Sequence, residues 1–431
     1  MKNKKELRFI KRRNARLYPI YKMFSWDLLF FYSIEFLFYT ITKSLTPSQV
    51  LIASGLYLLF KIIMQIPAVI INDFLGKRKS IILGNSILVL YMLTLIHLPG
   101  MISIILANLL CALGYDIKLI AESNLLYDSV STRGGEGLYS KIDARGGSLY
   151  YLLDAVSALL SGYLFVRNNY FPLYVCLSFL VISTILSFGF KDVYRTKLNP
   201  REKGIKHTFK EYKKDLENSF RFIFNSSRMK SLVLFQVVFY SLIKITDIYR
   251  SNLLVDIGIS EEHFSMIFAI LNLMGSLALY LKGPIEKKFK NKTIAFISLT
   301  YIISSVIIGT ISSICIGKTI IPFILILYII QRMDTSIWYI LEYKYLKNFT
   351  TANSRSKITF TYEFIGCLSA SIFSILGGLL LDVSCVQNAF LIVGLIGLMF
   401  IVLTLDFMRK RIGLKPHEYK KKDIEFNVYK K

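Results

Sequence analysis

The sequence predicts an all-α polytopic membrane protein with twelve transmembrane helices, arranged as two similar halves of six. The 431 residues are 54% hydrophobic, and their mean hydropathy is +0.50. Apolar runs of about twenty residues recur along the chain, and a helix of that length spans the ~30 Å hydrocarbon core. A basic stretch at residues 191–230, with twelve Lys and Arg residues, separates the two halves.

The predicted spans divide evenly between the halves. In the first half they are residues 23–42, 50–72, 80–98, 101–122, 148–166 and 171–190, and in the second 231–254, 264–282, 293–314, 319–341, 358–381 and 387–405. We therefore predict three parts: an N-terminal six-helix bundle (1–190) with a basic N-terminus, a basic cytoplasmic linker (191–230) and a C-terminal six-helix bundle (231–431) with a basic tail. The first apolar run is long enough to be a retained helix.

The net charge of +25 is explained by topology rather than by nucleic-acid binding. Most of the Lys and Arg residues fall in loops on one side of the predicted spans, which is the positive-inside pattern. It predicts a plasma-membrane protein with both termini in the cytoplasm and contacts with anionic lipids. The five cysteines are scattered without disulfide or metal spacing, and no catalytic set is present. We expect no enzyme activity, no metal and no cofactor.

Thirteen ionisable residues lie within the predicted spans, and ten of them fall on spans one, four, seven and ten. Facing lipid, each would cost about 2.5 to 3.5 kcal/mol, so they must face one another or water. The sequence predicts a shared substrate and coupling cavity lined by Glu35, Asp116, Lys118, Lys244, Asp247, Arg250, Arg332 and Asp334, with Lys61, Asp154 and Glu363 as secondary coupling candidates. Asp27 and Glu122 lie nearer the inner interface. Permanent salt bridges between helices are the alternative interpretation.

Glu35 is the candidate site for a coupling proton. It lies in the middle of its span, and no basic residue is within one helical turn. A carboxylate in apolar surroundings can carry a proton at physiological pH. Neutralisation by a neighbour such as Lys61 would remove that role.

The loop between spans two and three contains Asp73, Gly76, Lys77 and Arg78. A very short turn requires glycine, and basic residues anchor the inner surface. With this loop, the helix count and the polar centre, nearly the whole chain resembles the major facilitator superfamily, whose signature stands between helices two and three. The resemblance implies alternating access, a central cavity lined by helices one, four, seven and ten, and a gating role for these four residues.

We therefore expect a proton-coupled secondary transporter that moves a small or medium-sized organic solute, peptide-like or drug-like, across the plasma membrane. Both signs of charge in one cavity suit a zwitterionic or amphiphilic solute. Export ranks ahead of import on family frequency alone, and a monomer is the default for this fold. The alternative is a non-transporting membrane sensor or a lipid-handling protein on the same scaffold.

Overall fold

The predicted all-helical fold is confirmed. The computed structural model describes residues 4–130, 135–193, 205–289, 292–314, 318–350 and 355–409, and within these ranges it contains helices and no strands. The helices are α1 (Lys4–Ser25), α2 (Glu35–Leu37, continued by a π-helix at Phe38–Thr42), α3 (Pro47–Leu75), α4 (Lys77–His97), α5 (Gly100–Val130), α6 (Gly135–Arg167), α7 (Phe171–Ser187), α8 (Ile205–Asn225), α9 (Ser227–Asp256), α10 (Glu261–Phe289), α11 (Thr293–Ile314), α12 (Ile321–Phe349), α13 (Arg355–Val383) and α14 (Val386–Arg409).

Nine of the described helices are long and apolar enough to cross a membrane. α10 bends by 52° between Glu261–Ala278 and Gly283–Phe289. If its two parts are counted as one span, the described residues contain ten candidate spans. α7 is apolar but only 17 residues long. These helices correspond to predicted spans two to twelve. Of the predicted linker, residues 194–204 lie outside the described residues, as does the basic tail at 410–431.

The first predicted span differs from expectation, because it is not one continuous helix. α1 begins at Lys4 and ends at Ser25, and α2 begins only at Glu35. We call the non-helical residues 26–34 the α1 break. Within it the Asp27 carboxylate accepts the Leu28 backbone N–H at 3.1 Å, which is how a short acidic side chain competes with helical hydrogen bonding. Phe30 has a φ of +68°, a left-handed conformation that ends regular helix.

Aromatic packing holds the α1 break in place. The Trp26 ring lies 5.1 Å from Tyr150 and 5.5 Å from Tyr151 on α6, and Phe30 stacks at 5.7 Å on Phe179 of α7. Such ring pairs contribute about 0.5 to 1.5 kcal/mol each beyond burial. Contacts with α6 and α7 therefore stabilise the non-helical conformation of the α1 break, although the local apolar sequence favours a continuous helix.

The chain divides into two compact units. Unit 1 contains residues Met1–Leu45, Leu56–Phe209 and Glu261–Ala269, and unit 2 contains Thr46–Gly55, Lys210–Ser260 and Ile270–Lys431. The start of α3 thus belongs to unit 2 and the start of α10 to unit 1. In unit 1 the Gly162 backbone N–H donates to the Ser265 hydroxyl at 3.0 Å.

Each unit has its own core. In unit 1, α4 and α5 approach so closely that a Cβ on Gly84 would lie 2.8 Å from the Gly114 carbonyl oxygen, as is common where small residues bring membrane helices together. In unit 2 the fully buried Trp338 packs edge-on against Phe235 and Phe239, at 4.9 and 5.6 Å.

Candidate functional site

In unit 1 the predicted site centres on Lys118 of α5. This side chain is fully buried, and its ammonium group donates to the backbone carbonyl of Ser25, the last residue of α1. The same ammonium lies 4.5 Å from the centre of the Tyr115 ring. The Tyr115 hydroxyl in turn donates to Asp27 at 3.1 Å. The α1 break therefore brings Asp27 and a helix end beside the lysine.

Glu122 lies one turn further along α5 and is also buried. Its carboxylate accepts a hydrogen bond from the Tyr21 hydroxyl, while the Asn85 side-chain amide donates to that hydroxyl at 2.8 Å. The sequence prediction did not include Tyr21, which precedes predicted span one, or Asn85, which is polar but uncharged. An Asn within the apolar run of span three was the available signal.

The other predicted residues of unit 1 are more dispersed. Glu35, on α2, is half-buried, and the Tyr39 hydroxyl is among the groups that interact with it. Asp116 is buried, whereas Lys61 and Asp154 are half-buried.

In unit 2 the predicted spacing of Asp247 and Arg250 places them together. The Arg250 guanidinium donates to the Asp247 carboxylate at 2.6 Å and lies 5.4 Å from the Tyr328 ring centre. Arg250 is only 4% exposed, and its buried Nε has no hydrogen-bond partner among the described residues. One donor of this arginine is therefore unsatisfied in the described part of the chain.

The two predicted site residues of α12, Arg332 and Asp334, have separate partners. Arg332 donates to the Asn272 side chain at 2.8 Å, and its buried Nε also lacks a hydrogen-bond partner in the described part of the chain. Asp334 is 5% exposed and accepts the Thr300 hydroxyl at 2.7 Å. The spacing of these residues in the sequence gave no indication of either partner, because both lie on other helices.

The remaining candidates of unit 2 are less enclosed. Lys244 is half-buried and its ammonium lies 5.5 Å from the Tyr240 ring centre. Glu363 is exposed.

The predicted gating loop is tied to α5 and to the segment that follows α7. Lys77 pairs with Asp128 on α5, and the Arg78 backbone N–H donates to Asp192 at 3.0 Å. Gly76 has a φ of +77°, which a residue with a side chain adopts only with strain. Asp73, the first residue of the signature, is exposed.

A cavity of about 520 Å³ lies in unit 2 at the starts of α3 and α14, and none of the predicted site residues lines it. Its wall includes Asp256, Asp382 and Cys385, with the Gln387 amide donating to Asp256. In the described residues, no three His, Cys, Asp or Glu side chains are close enough to hold a metal ion.

Comparison with known proteins identifies the fold. Residues 23–330 match the family described as the Major Facilitator Superfamily, whereas no curated protein sequence matches the chain. The nucleoside transporter NupG has a similar structure, with a TM-score of 0.67 at 12% identity over 95% of this chain and 100% of its own. A POT family transporter in complex with a thioalcohol-conjugated peptide gives 0.66 at 15% identity over 94% and 95%. A D-xylose–proton symporter gives 0.66 at 10% identity over 93% and 97%.

Proposed function

Because the chain belongs to the Major Facilitator Superfamily, we propose that it is a proton-coupled secondary transporter that moves a small or medium-sized organic solute across the plasma membrane. Transport would proceed by alternating access, with export ahead of import. Nucleoside, peptide and D-xylose transporters share the fold, and this range of solutes supports the general class without selecting one substrate.

The observation that carries the proposal is the set of buried donors in unit 2. Arg250 and Arg332 each keep a buried Nε without a hydrogen-bond partner in the described residues. Leaving a buried donor unsatisfied costs about 1 to 3 kcal/mol, and guanidinium groups bind carboxylate and phosphate strongly. A solute with an anionic group would satisfy these donors, and a zwitterionic or peptide-like solute has such a group.

We assign the role of the proton-coupling residue to Glu35. This carboxyl group lies on α2, immediately after the α1 break, where the neighbouring Phe36, Leu37 and Phe38 are buried. Apolar surroundings favour a carboxyl group that gains and loses a proton during a transport cycle. Asp73, Gly76, Lys77 and Arg78 are assigned the gating role.

The test is solute-driven proton movement in proteoliposomes. Wild-type protein would be exposed to a panel of dipeptides, amino acids, nucleosides, sugars and amphiphilic drugs, with internal pH recorded by a trapped dye. We expect at least one anionic or zwitterionic compound to drive proton flux, and Glu35→Gln to abolish that flux. The matched control is Glu262→Gln, which makes the same change at an exposed position and should leave the flux unchanged.

Two results would contradict the proposal. A panel that moves no protons through wild-type protein would remove proton coupling. Equal flux through Glu35→Gln and Glu262→Gln would leave coupling in place but remove Glu35 from it. For the arginines, Arg332→Gln should raise the KM for the active compound, and an unchanged KM would remove that residue from the solute site.

A further inference from the structure

The C-terminus of α1 places uncompensated negative partial charge inside unit 1. A helix C-terminus leaves its last carbonyls without intrahelical partners and carries about half a negative charge. α1 ends at Ser25, and the carbonyl of Ser25 lies against α5 within the apolar stretch of that helix. In an apolar environment such a terminus requires donors or a cation.

The Lys118 side chain compensates this partial charge. Its ammonium donates to the Ser25 carbonyl and lies over the Tyr115 ring, and the carboxylates that act on it electrostatically are Glu122 and Asp27. A carbonyl at a helix C-terminus, an aromatic face and nearby carboxylates each attract a positive charge, and together they offset part of the cost of burying it. The side chain is 0% exposed, so the charge is held without solvent.

This arrangement differs from an ordinary ion pair between Lys118 and Glu122. Those residues are four apart on α5, and the sequence alone would pair them. In the structure the hydrogen bond of the ammonium goes instead to a backbone carbonyl, while Glu122 accepts from Tyr21. The α1 break, rather than α5 itself, supplies the acceptor.

We propose that the Ser25 carbonyl, Asp27 and Tyr115 form a monovalent-cation site that the Lys118 ammonium occupies as a tethered ligand. The chemistry that this site recognises is a primary ammonium group. Discontinuous membrane helices in other transporters bind coupling ions through half-helix C-terminal ends and unwound carbonyls. Here the cation belongs to the protein itself.

The consequence for transport rests on the proposed function. Because a side chain fills the site, no dissolved cation is needed there, and solute movement by wild-type protein should proceed equally well when sodium is replaced by N-methylglucamine. Binding of an ammonium ion to an emptied site is a separate property, and it can be measured on protein that transports nothing.

The experiment empties the site and offers it a free ammonium ion. Full-length Lys118→Ala would be purified in detergent, and its thermal midpoint measured in ethylammonium chloride and in N-methylglucamine chloride at equal ionic strength. Wild-type protein and Lys244→Ala are the controls. Lys244 is also a lysine within a membrane helix and close to a tyrosine ring, but no contact with a helix end is found for it among the described residues.

We expect ethylammonium to stabilise Lys118→Ala alone. At ten times its dissociation constant, a bound ligand favours the folded state by about tenfold, which corresponds to a rise of about 3 to 5 °C in the midpoint for a unit of about 200 residues. Adding Asp27→Asn to Lys118→Ala should reduce this rise. Equal shifts in all three proteins, or an equal effect of N-methylglucamine, would overturn the proposal.

Folding of the variant is itself informative. If Lys118→Ala is recovered as monodisperse protein only when ethylammonium is present during extraction, the site has bound the free ion and the proposal stands. If it is not recovered in either salt, an ammonium ion cannot replace the side chain and the proposal fails. Neither outcome depends on transport, so failure of the transport assay and failure of this site remain distinguishable.

Discussion

Replacement of Gly84 by alanine should destabilise the α4–α5 contact that positions Lys118. The added Cβ would lie 2.8 Å from the Gly114 carbonyl oxygen and 2.9 Å from the Lys118 Cβ. Ordinary contacts of a Cβ are 3.4 Å or longer, and these neighbours are backbone or near-backbone atoms, so the helices must separate. Overpacking of this kind costs about 1 to 3 kcal/mol, while alanine gains about 1 kcal/mol over glycine in helix propensity.

A control on the same chain separates these two effects. Gly283 lies in α10, and a Cβ there would have no atom within 4 Å. Gly283 precedes Pro284, and a proline ring crowds a Cβ on the residue before it in a helix, so Gly283→Ala should show only part of the propensity gain, at most about 1 kcal/mol. We expect Gly84→Ala to be the less stable variant by about 1 to 2 kcal/mol, because only it must separate two packed helices.

The thermal midpoint in detergent is the suitable measurement. For a unit of about 200 residues, each kcal/mol corresponds to about 2 to 4 °C in the thermal midpoint. Intrinsic fluorescence can resolve a difference of this size. If Gly84→Ala is as stable as Gly283→Ala, then α4 and α5 do not approach through Gly84 and Gly114. The placement of Lys118 described above would then be wrong as well.

Three further experiments test the hydrogen-bond network and the loop. Tyr21→Phe removes the donor to buried Glu122, which should cost about 1 to 3 kcal/mol; a thermal midpoint equal to that of wild type would contradict the hydrogen bond. Lys77→Ala and Asp128→Ala should be non-additive in a double-mutant cycle, with a coupling of about 0.5 to 3 kcal/mol, because the two side chains form an ion pair. A coupling of zero would show that the pair is absent. Asp73→Asn should slow solute uptake by proteoliposomes without reducing the yield of folded protein, since this residue is exposed; an unchanged rate would remove it from the gating loop.

The fold was predictable because membrane helices are specified by a one-dimensional property. Length, hydropathy and the placement of basic residues are sufficient to locate apolar spans. The α1 break was not predictable in this way, because the residues around Phe30 are as apolar as those of any continuous span. What ends α1 are contacts made by distant residues, such as Lys118 with the Ser25 carbonyl and Tyr150 with Trp26.

The candidate site was predictable only where partners share a helix. Asp247 and Arg250 are three residues apart, so helical geometry alone places them together, and the ion pair between them is present. The contact between Asp334 and Thr300 joins residues of α12 and α11. Such pairs depend on how the helices pack, and a single sequence does not contain that information.

Lys118 of unit 1 and the two arginines of unit 2 differ in how fully their buried cationic groups are bound. In unit 1 the ammonium of Lys118 is bound by backbone, aromatic and carboxylate groups of the same unit. In unit 2 the guanidinium groups of Arg250 and Arg332 each retain a buried Nε without a partner among the described residues. A cation that is fully bound stabilises the helix end that binds it, whereas a cation with a spare donor can bind an anionic ligand. The proposed roles follow from this difference: Lys118 maintains the α1 break, and the arginines of unit 2 recognise the acidic group of the solute.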